Sequence, residues 1–215
     1  MTSTEQILSG LQNIVNEYSF FAIIWHILFY ILFAALIFKW KPSNITLSVL
    51  LCLPLISVSA LAWIIGNPFN GSLFVFAATL LFIFGMKAPV RSIETSRPVF
   101  FLSGIIMVIF GIVYPHFIQP ASVLGYLYSS PAGLIPCPTL SILIGLALLF
   151  DGFGSRSLSL LLIIFGLFYG LFGVLKLKVL IDLFLLFGTL MLLVKYVSVT
   201  SGFQKKFHSN NYESL

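Results

Sequence analysis

Residues 98–150 contain no Lys, Arg, Asp or Glu. An uncharged run of that length belongs in or against a bilayer, yet it is no smooth apolar helix. It holds Pro115, Pro120, Pro131, Pro136 and Pro138, with Gly125 and Gly133 between them. Proline lacks an N–H and clashes with the preceding helical turn, so the run must break. Irregular backbone at membrane depth is tolerated only where the protein itself, or a wet cavity, satisfies its N–H and C=O groups. The same run therefore points to a membrane protein and to the place where a site would lie.

Composition agrees. The 215 residues are 60% hydrophobic and 8% charged, and mean hydropathy is +1.11. A soluble domain carries about 25% charged residues, so a single soluble core is excluded. The net charge of +5 does not argue for nucleic acid, because the basic residues sit at segment ends, where orientation signals belong. Cys52 and Cys137 make neither a disulfide framework nor a zinc site. The first ten residues are acidic and polar and lack the basic region of a cleavable signal.

The chain divides into an amphipathic N-terminal helix (1–17), a seven-helix transmembrane domain (18–199) and a polar, disordered tail (200–215). Ile7, Leu8, Leu11, Ile14 and Val15 form a helical stripe. Without Lys or Arg that first helix has no attraction for anionic lipid, and it is expected to lie on the bundle or in the interface. Spans are expected at 20–38, 45–65 (with Pro54 as a kink), 68–86, 100–113, 138–150, 158–175 and 180–197. Asn67 caps the third, with Pro68 in its first turn. With the N-terminus outside, nine of the 11 Lys and Arg residues face the cytoplasm and only Lys176 and Lys178 face out, a positive-inside pattern of the cell membrane. Lys178 stands four residues before Asp182, which suggests local neutralisation. The fifth span starts too late to cross alone. Residues 117–137 are accordingly expected to fold back over the outer mouth, with residues 136–139 deepest.

Tyr114-Pro115, the Pro136-Cys137-Pro138-Thr139 run after Pro131 and Gly133, and Gly145-Leu146 together resemble a family of bacterial multi-pass membrane proteins, a domain of unknown function. Asn67-Pro68 with Phe74 and Phe76, Trp25 and Asp182 are similar to further positions of that family, and the likeness covers most of residues 18–197. His26 stands where the family often has Pro, Tyr126 where it has His after Gly, and Ala132-Gly133-Leu134 where it favours Thr-Phe-Gly. The resemblance implies a helical membrane fold and supplies no activity. The missing histidine weakens any metal site carried over from it.

Six residues are candidates for a ligand site: His26, Asn67, His116, Cys137, Thr139 and Asp182. With Pro138 at the first helical position, Cys137 becomes the cap, and a helix N-terminus favours a reactive thiolate. The plainer reading is a small apolar filler in a turn. His26 is an ionisable group inside a span, a functional hypothesis by default, or else a neutral imidazole bonded to a neighbouring helix. A Cys/His pair suits copper or zinc, but scattered ligands specify neither. Asp151 with Arg156 reads as a cytoplasmic turn, Cys52 as core, and Gly166, Gly170 and Gly173 as helix packing. The residues name no cofactor and no metal. Three functions fit: a small permease, channel-like or solute-binding protein; a structural or accessory subunit of a membrane complex; and a redox or metal-dependent enzyme using Cys137 and His116. The expected partners are the lipid bilayer and other membrane proteins, not nucleic acid.

Overall fold

A computed structural model describes residues 4–40, 42–87, 94–115, 117 and 123–212, and their side chains except at Asn44, Val123 and 199–212. Among these residues the secondary structure is entirely helical: α1 Thr4–Glu17, α2 Ser19–Ile37, α3 Asn44–Ile64, α4 Pro68–Met86, α5 Pro98–Val113, α6 Tyr126–Ser129, α7 Pro136–Leu149, α8 Arg156–Leu171 and α9 Leu183–Tyr212. Five helices are long and apolar enough to cross a membrane, namely α2, α3, α4, α8 and α9 with their short extensions, while α5 and α7 are shorter apolar helices. The backbone of α9 stays helical to Tyr212, through most of the stretch set apart as a polar tail.

Local chemistry places the ends. Ser43 accepts from the Thr46 N–H at 3.1 Å and starts α3. Asn67 does the same for α4 through the Asn70 N–H at 3.1 Å, with Pro68 in the first turn, as the sequence implies. Pro54 is accommodated inside an unbroken α3.

The centre of the molecule is α7. Every residue of it is buried except Cys137, which is partly buried, and it packs among α5, α8, α9 and α3. A 14-residue helix is about 21 Å long, too short for a hydrocarbon core of about 30 Å. It starts two residues earlier than the sequence suggested. Ile135, not Cys137, is the cap, and both Pro136 and Pro138 occupy the first turn, where no intrahelical donor is needed.

Close approach to α5 requires glycine on both sides. A methyl at Gly104 would meet the Gly145 carbonyl at 2.7 Å, and one at Gly145 would meet the Val108 backbone nitrogen at 2.8 Å. Backbones in such contact gain dispersion and weak hydrogen bonding that lipid tails cannot replace. We therefore expect Gly104→Leu to destabilise the fold by about 1–3 kcal/mol or more through overpacking. Gly10→Ala, whose added carbon meets only Ile65 Cδ1 at 3.6 Å, should leave the melting temperature in detergent unchanged. Equal melting temperatures for Gly104→Leu and the parent would refute this account of the crossing.

Candidate functional site

α5 ends against a proline, and that ending builds one end of the bundle, here called the upper end. The Gly111 carbonyl faces Pro115, which has no N–H, and the helix ends at Val113. Both freed carbonyls are taken up by side chains. Ser130 Oγ donates to Gly111 at 3.2 Å, and His26 Nε2 lies 3.0 Å from the Ile112 carbonyl. His26 Nδ1 sits 2.7 Å from the Ala22 carbonyl of its own helix. His26 is buried and lines none of the cavities described below; a neutral ring carries one N–H, and the tautomer that donates to Ile112 finishes α5.

Ser130 pulls the following turn inside. Ala132, Leu134 and Ile135 are buried, while Leu124 and Tyr128 upstream are 68% and 51% exposed. The inward fold expected for this segment is met from Ser130 on, while residues 118–122 lie outside the described residues. Gly133 adopts φ 76, with the Trp25 ring where a side chain would be. Thr139 holds the turn against α7, accepting from the Gly133 N–H at 2.9 Å and donating to the Ile135 carbonyl at 2.7 Å. Thr139 is thus spent on the backbone.

Beyond this turn three functional groups converge. The Tyr114 hydroxyl donates to Asp182 Oδ1 at 2.8 Å, and the Cys137 thiol donates to Oδ2 at 3.3 Å. Tyr114 and Asp182 are almost fully buried. Asp182 lies at the entry to α9, and it comes this close because Gly173 opposite has no side chain; a methyl there would overlap the carboxylate. Gly173 sits in a π-helical turn, Phe172–Lys176, that prolongs α8. Single π turns widen a helix and recur at functional sites. Lys178, expected to neutralise Asp182, is instead exposed at φ 61, and the carboxylate points inward to the phenol and the thiol.

The cluster faces a small chamber of about 30 Å3, walled also by Phe172, Leu177, Val179 and Ile7 and Leu11 of α1. That volume suffices for one water-sized species. Beside it lies a vestibule of about 430 Å3 between α1, the 65–70 turn and the end of α8. The two cavities share Ile7, Leu11, Asn70, Tyr169 and Phe172. At their boundary the Tyr169 hydroxyl donates to Asn70 Oδ1 at 3.0 Å. Asn67 lines the vestibule and fixes the backbone of Asn70. α1 roofs both cavities: Leu11, Ile14 and Val15 are buried in the same apolar cluster as Tyr114, Leu134 and Ile135.

Of the six sequence candidates, Cys137 and Asp182 meet at the site, Asn67 borders it, and His26 and Thr139 complete backbone elsewhere. His116 lies outside the described residues, and with it the expected pairing with Cys137. Asn70 and Tyr169 were missed, since an amide and a phenol inside apolar helices carry no pattern of their own. Among the described residues no group of three His, Cys, Asp or Glu side chains could hold a metal ion.

The opposite, lower end has its own polar cluster. Buried Lys195 pairs with Asp151 Oδ1 at 3.3 Å and donates to Ser96 Oγ at 2.7 Å and to the Ala147 carbonyl at 3.1 Å. Asp151, read with Arg156 in a turn, makes an ion pair with Lys195.

Compared with protein-family models, curated proteins and solved structures, the chain has no significant match. The likeness carried by the Pro136–Thr139 run therefore rests on those residues alone.

Two outcomes follow from the geometry. His26→Ala should cost about 1–3 kcal/mol by leaving the Ile112 carbonyl unpaired, with His26→Gln recovering part of the loss in a detergent melt. In a Cys52→Ala background, Cys137 should react slowly with N-ethylmaleimide, and Tyr169→Ala should accelerate that reaction by opening the boundary. An unchanged rate would mean that Tyr169 does not separate vestibule from chamber.

Proposed function

We propose that this chain is a seven-span integral membrane protein, N-terminus outside, that takes a small polar solute from the outer side into the chamber at Cys137 and Asp182. On this reading α2–α5 and α7–α9 are the spans, and α7, buried on every side, is shielded from lipid by the others. α1 lies across the outer mouth. The nine-to-two split of Lys and Arg supports the orientation, and the apolar outward faces of α2, α4 and α9 support contact with lipid.

The observation that carries the functional reading is the convergence of Tyr114, Cys137 and Asp182 beneath a vestibule. A carboxylate held between a phenol and a thiol in an apolar surround is costly to bury, and its retention in such a place argues for use. The chamber offers carboxylate lone pairs beyond the two donors already present, so the solute it suits is a donor or a small cation. Its volume of about 30 Å3 admits a species of water or ammonia size as it stands. Anything larger waits in the vestibule until α1 and Tyr169 move aside. This is binding and passage of a solute, in the permease, channel-like or solute-binding class.

The test compares the parent with Asp182→Asn, both purified in mild detergent, by mass spectrometry of the small molecules each retains. A species held by the parent and lost from a variant of unchanged helicity is the expected result. Identical contents, or a parent that retains nothing, would overturn the reading.

A further inference from the structure

Asp182 is the most deeply buried acid among the described residues, and none of them gives it a cationic partner. Its two carboxylate oxygens accept from the Tyr114 hydroxyl and the Cys137 thiol, the pattern of an ionised group. The lower end does the reverse. There Asp151, with a side chain 54% exposed, still receives Lys195. Buried charges are ordinarily paired, so the better-buried acid calls for a positive charge that these residues do not bring to it. Lys176 and Lys178, the basic residues before it in sequence, are exposed, and no Lys, Arg or His lines the chamber or the vestibule.

We propose that the chamber binds the ammonium group of a primary amine whose uncharged, largely apolar body lies in the vestibule. This rests on the solute-binding reading above and narrows it from a donor or small cation to one chemical class. The donor set decides against a divalent metal ion, which asks for about four to eight ligands. The chamber offers one carboxylate, one thiol and phenols, and among the described residues no three His, Cys, Asp or Glu gather. An ammonium group asks for less. It is about the size of the single water that a chamber of about 30 Å3 admits. It bonds a carboxylate in the strong, charge-assisted way, and it is attracted to aromatic rings within about 6 Å. Tyr114, Phe117, Tyr169 and Phe172 all line the chamber. A nitrogen carrying four methyl groups is too large for that space. The vestibule suits the remainder of the molecule. Its volume of about 430 Å3 lies within the roughly 300–1,000 Å3 of small-molecule pockets. Phe69, Phe168 and Phe172 stand in its wall, and the side chains of Gln6, Asn67 and Asn70 there are neutral amides. Head and body join where the two cavities meet, past the Tyr169–Asn70 hydrogen bond.

The experiment follows the melting temperature of the full chain in mild detergent at neutral pH, with ionic strength held constant by potassium chloride. The probes are 2-phenylethylamine, its neutral counterpart 2-phenylethanol, ammonium chloride and tetramethylammonium chloride. Phenylethylamine should raise the melting temperature saturably, ammonium should do so only at higher concentration, and the other two should not. Asp182→Asn should weaken apparent binding of phenylethylamine by about tenfold or more. Phe172→Leu, which removes a ring from both cavities, should weaken it about fivefold and serves alone if the first variant does not fold. Equal stabilisation by phenylethanol or by tetramethylammonium overturns the assignment, and so does an undiminished response in either folded variant. If none of the four probes stabilises a parent that retains an Asp182-dependent solute, this inference falls while the solute reading stands. If the parent retains no such solute and answers to no probe, both fall together.

Discussion

In apolar surroundings a carbonyl without a donor costs about 1–3 kcal/mol, and Pro115 leaves the end of α5 with a carbonyl that no backbone N–H of its own helix can reach. Much of the upper end follows from meeting that need and the one beside it. Ser130 reaches Gly111 and His26 reaches Ile112. To bring Ser130 there, the chain after α6 turns inward, and the turn at Gly133 fits only because Trp25 occupies the side a Cβ would take. Once inside, the chain enters α7 below the rim, with Cys137 in its first turn. The same ending leaves Tyr114 outside the helix and pointing at Asp182. The polar cluster is thus a consequence of how one helix stops.

The lower end solves the matching problem with a charge. α7 finishes at Leu149 and its last carbonyls also lack partners. The Leu149 carbonyl receives the Ser96 N–H at 2.8 Å, and the Ala147 carbonyl receives Lys195. A buried ammonium is expensive unless paired and fully bonded; here Asp151, Ser96 and the helix end share it. Ser96 serves twice, since its hydroxyl also accepts from the Asp151 N–H at 3.0 Å.

Much of the fold is legible in the residues. The α1 stripe, the Asn67 cap and the long apolar helices follow from periodicity, capping chemistry and length. The start of α7 was placed two residues late because Pro136 and Pro138 both suit a first turn, and only packing chooses between them. The site was legible in part. Asp182 and Cys137 stand out as a lone acid and a proline-flanked thiol, but the partners of Asp182 lie 68 and 45 residues away. A single sequence offers only neighbours, which is why Lys178 seemed the natural partner for Asp182. Tyr169, Asn70 and the roofing role of α1 are products of tertiary contact and leave no local trace.

The fastening of α7 has a mechanical meaning. Its upper turn is tied by Thr139 to the loop before it, its lower end by Ser96 and Lys195 to the start of α5 and to α9, and its flank is locked to α5 glycine against backbone. A rod held at both ends and along its side neither slides nor rotates, so it acts as the stator of the bundle. The periphery is held more by side chains: α1 rests on the mouth through its apolar stripe and a Thr4 bond to the Lys176 carbonyl, and α2 meets α3 through Phe29, Leu32 and Leu36. A stroke of the central helix along its axis would break all of these ties together, so Cys137 is fixed relative to α5 and α9.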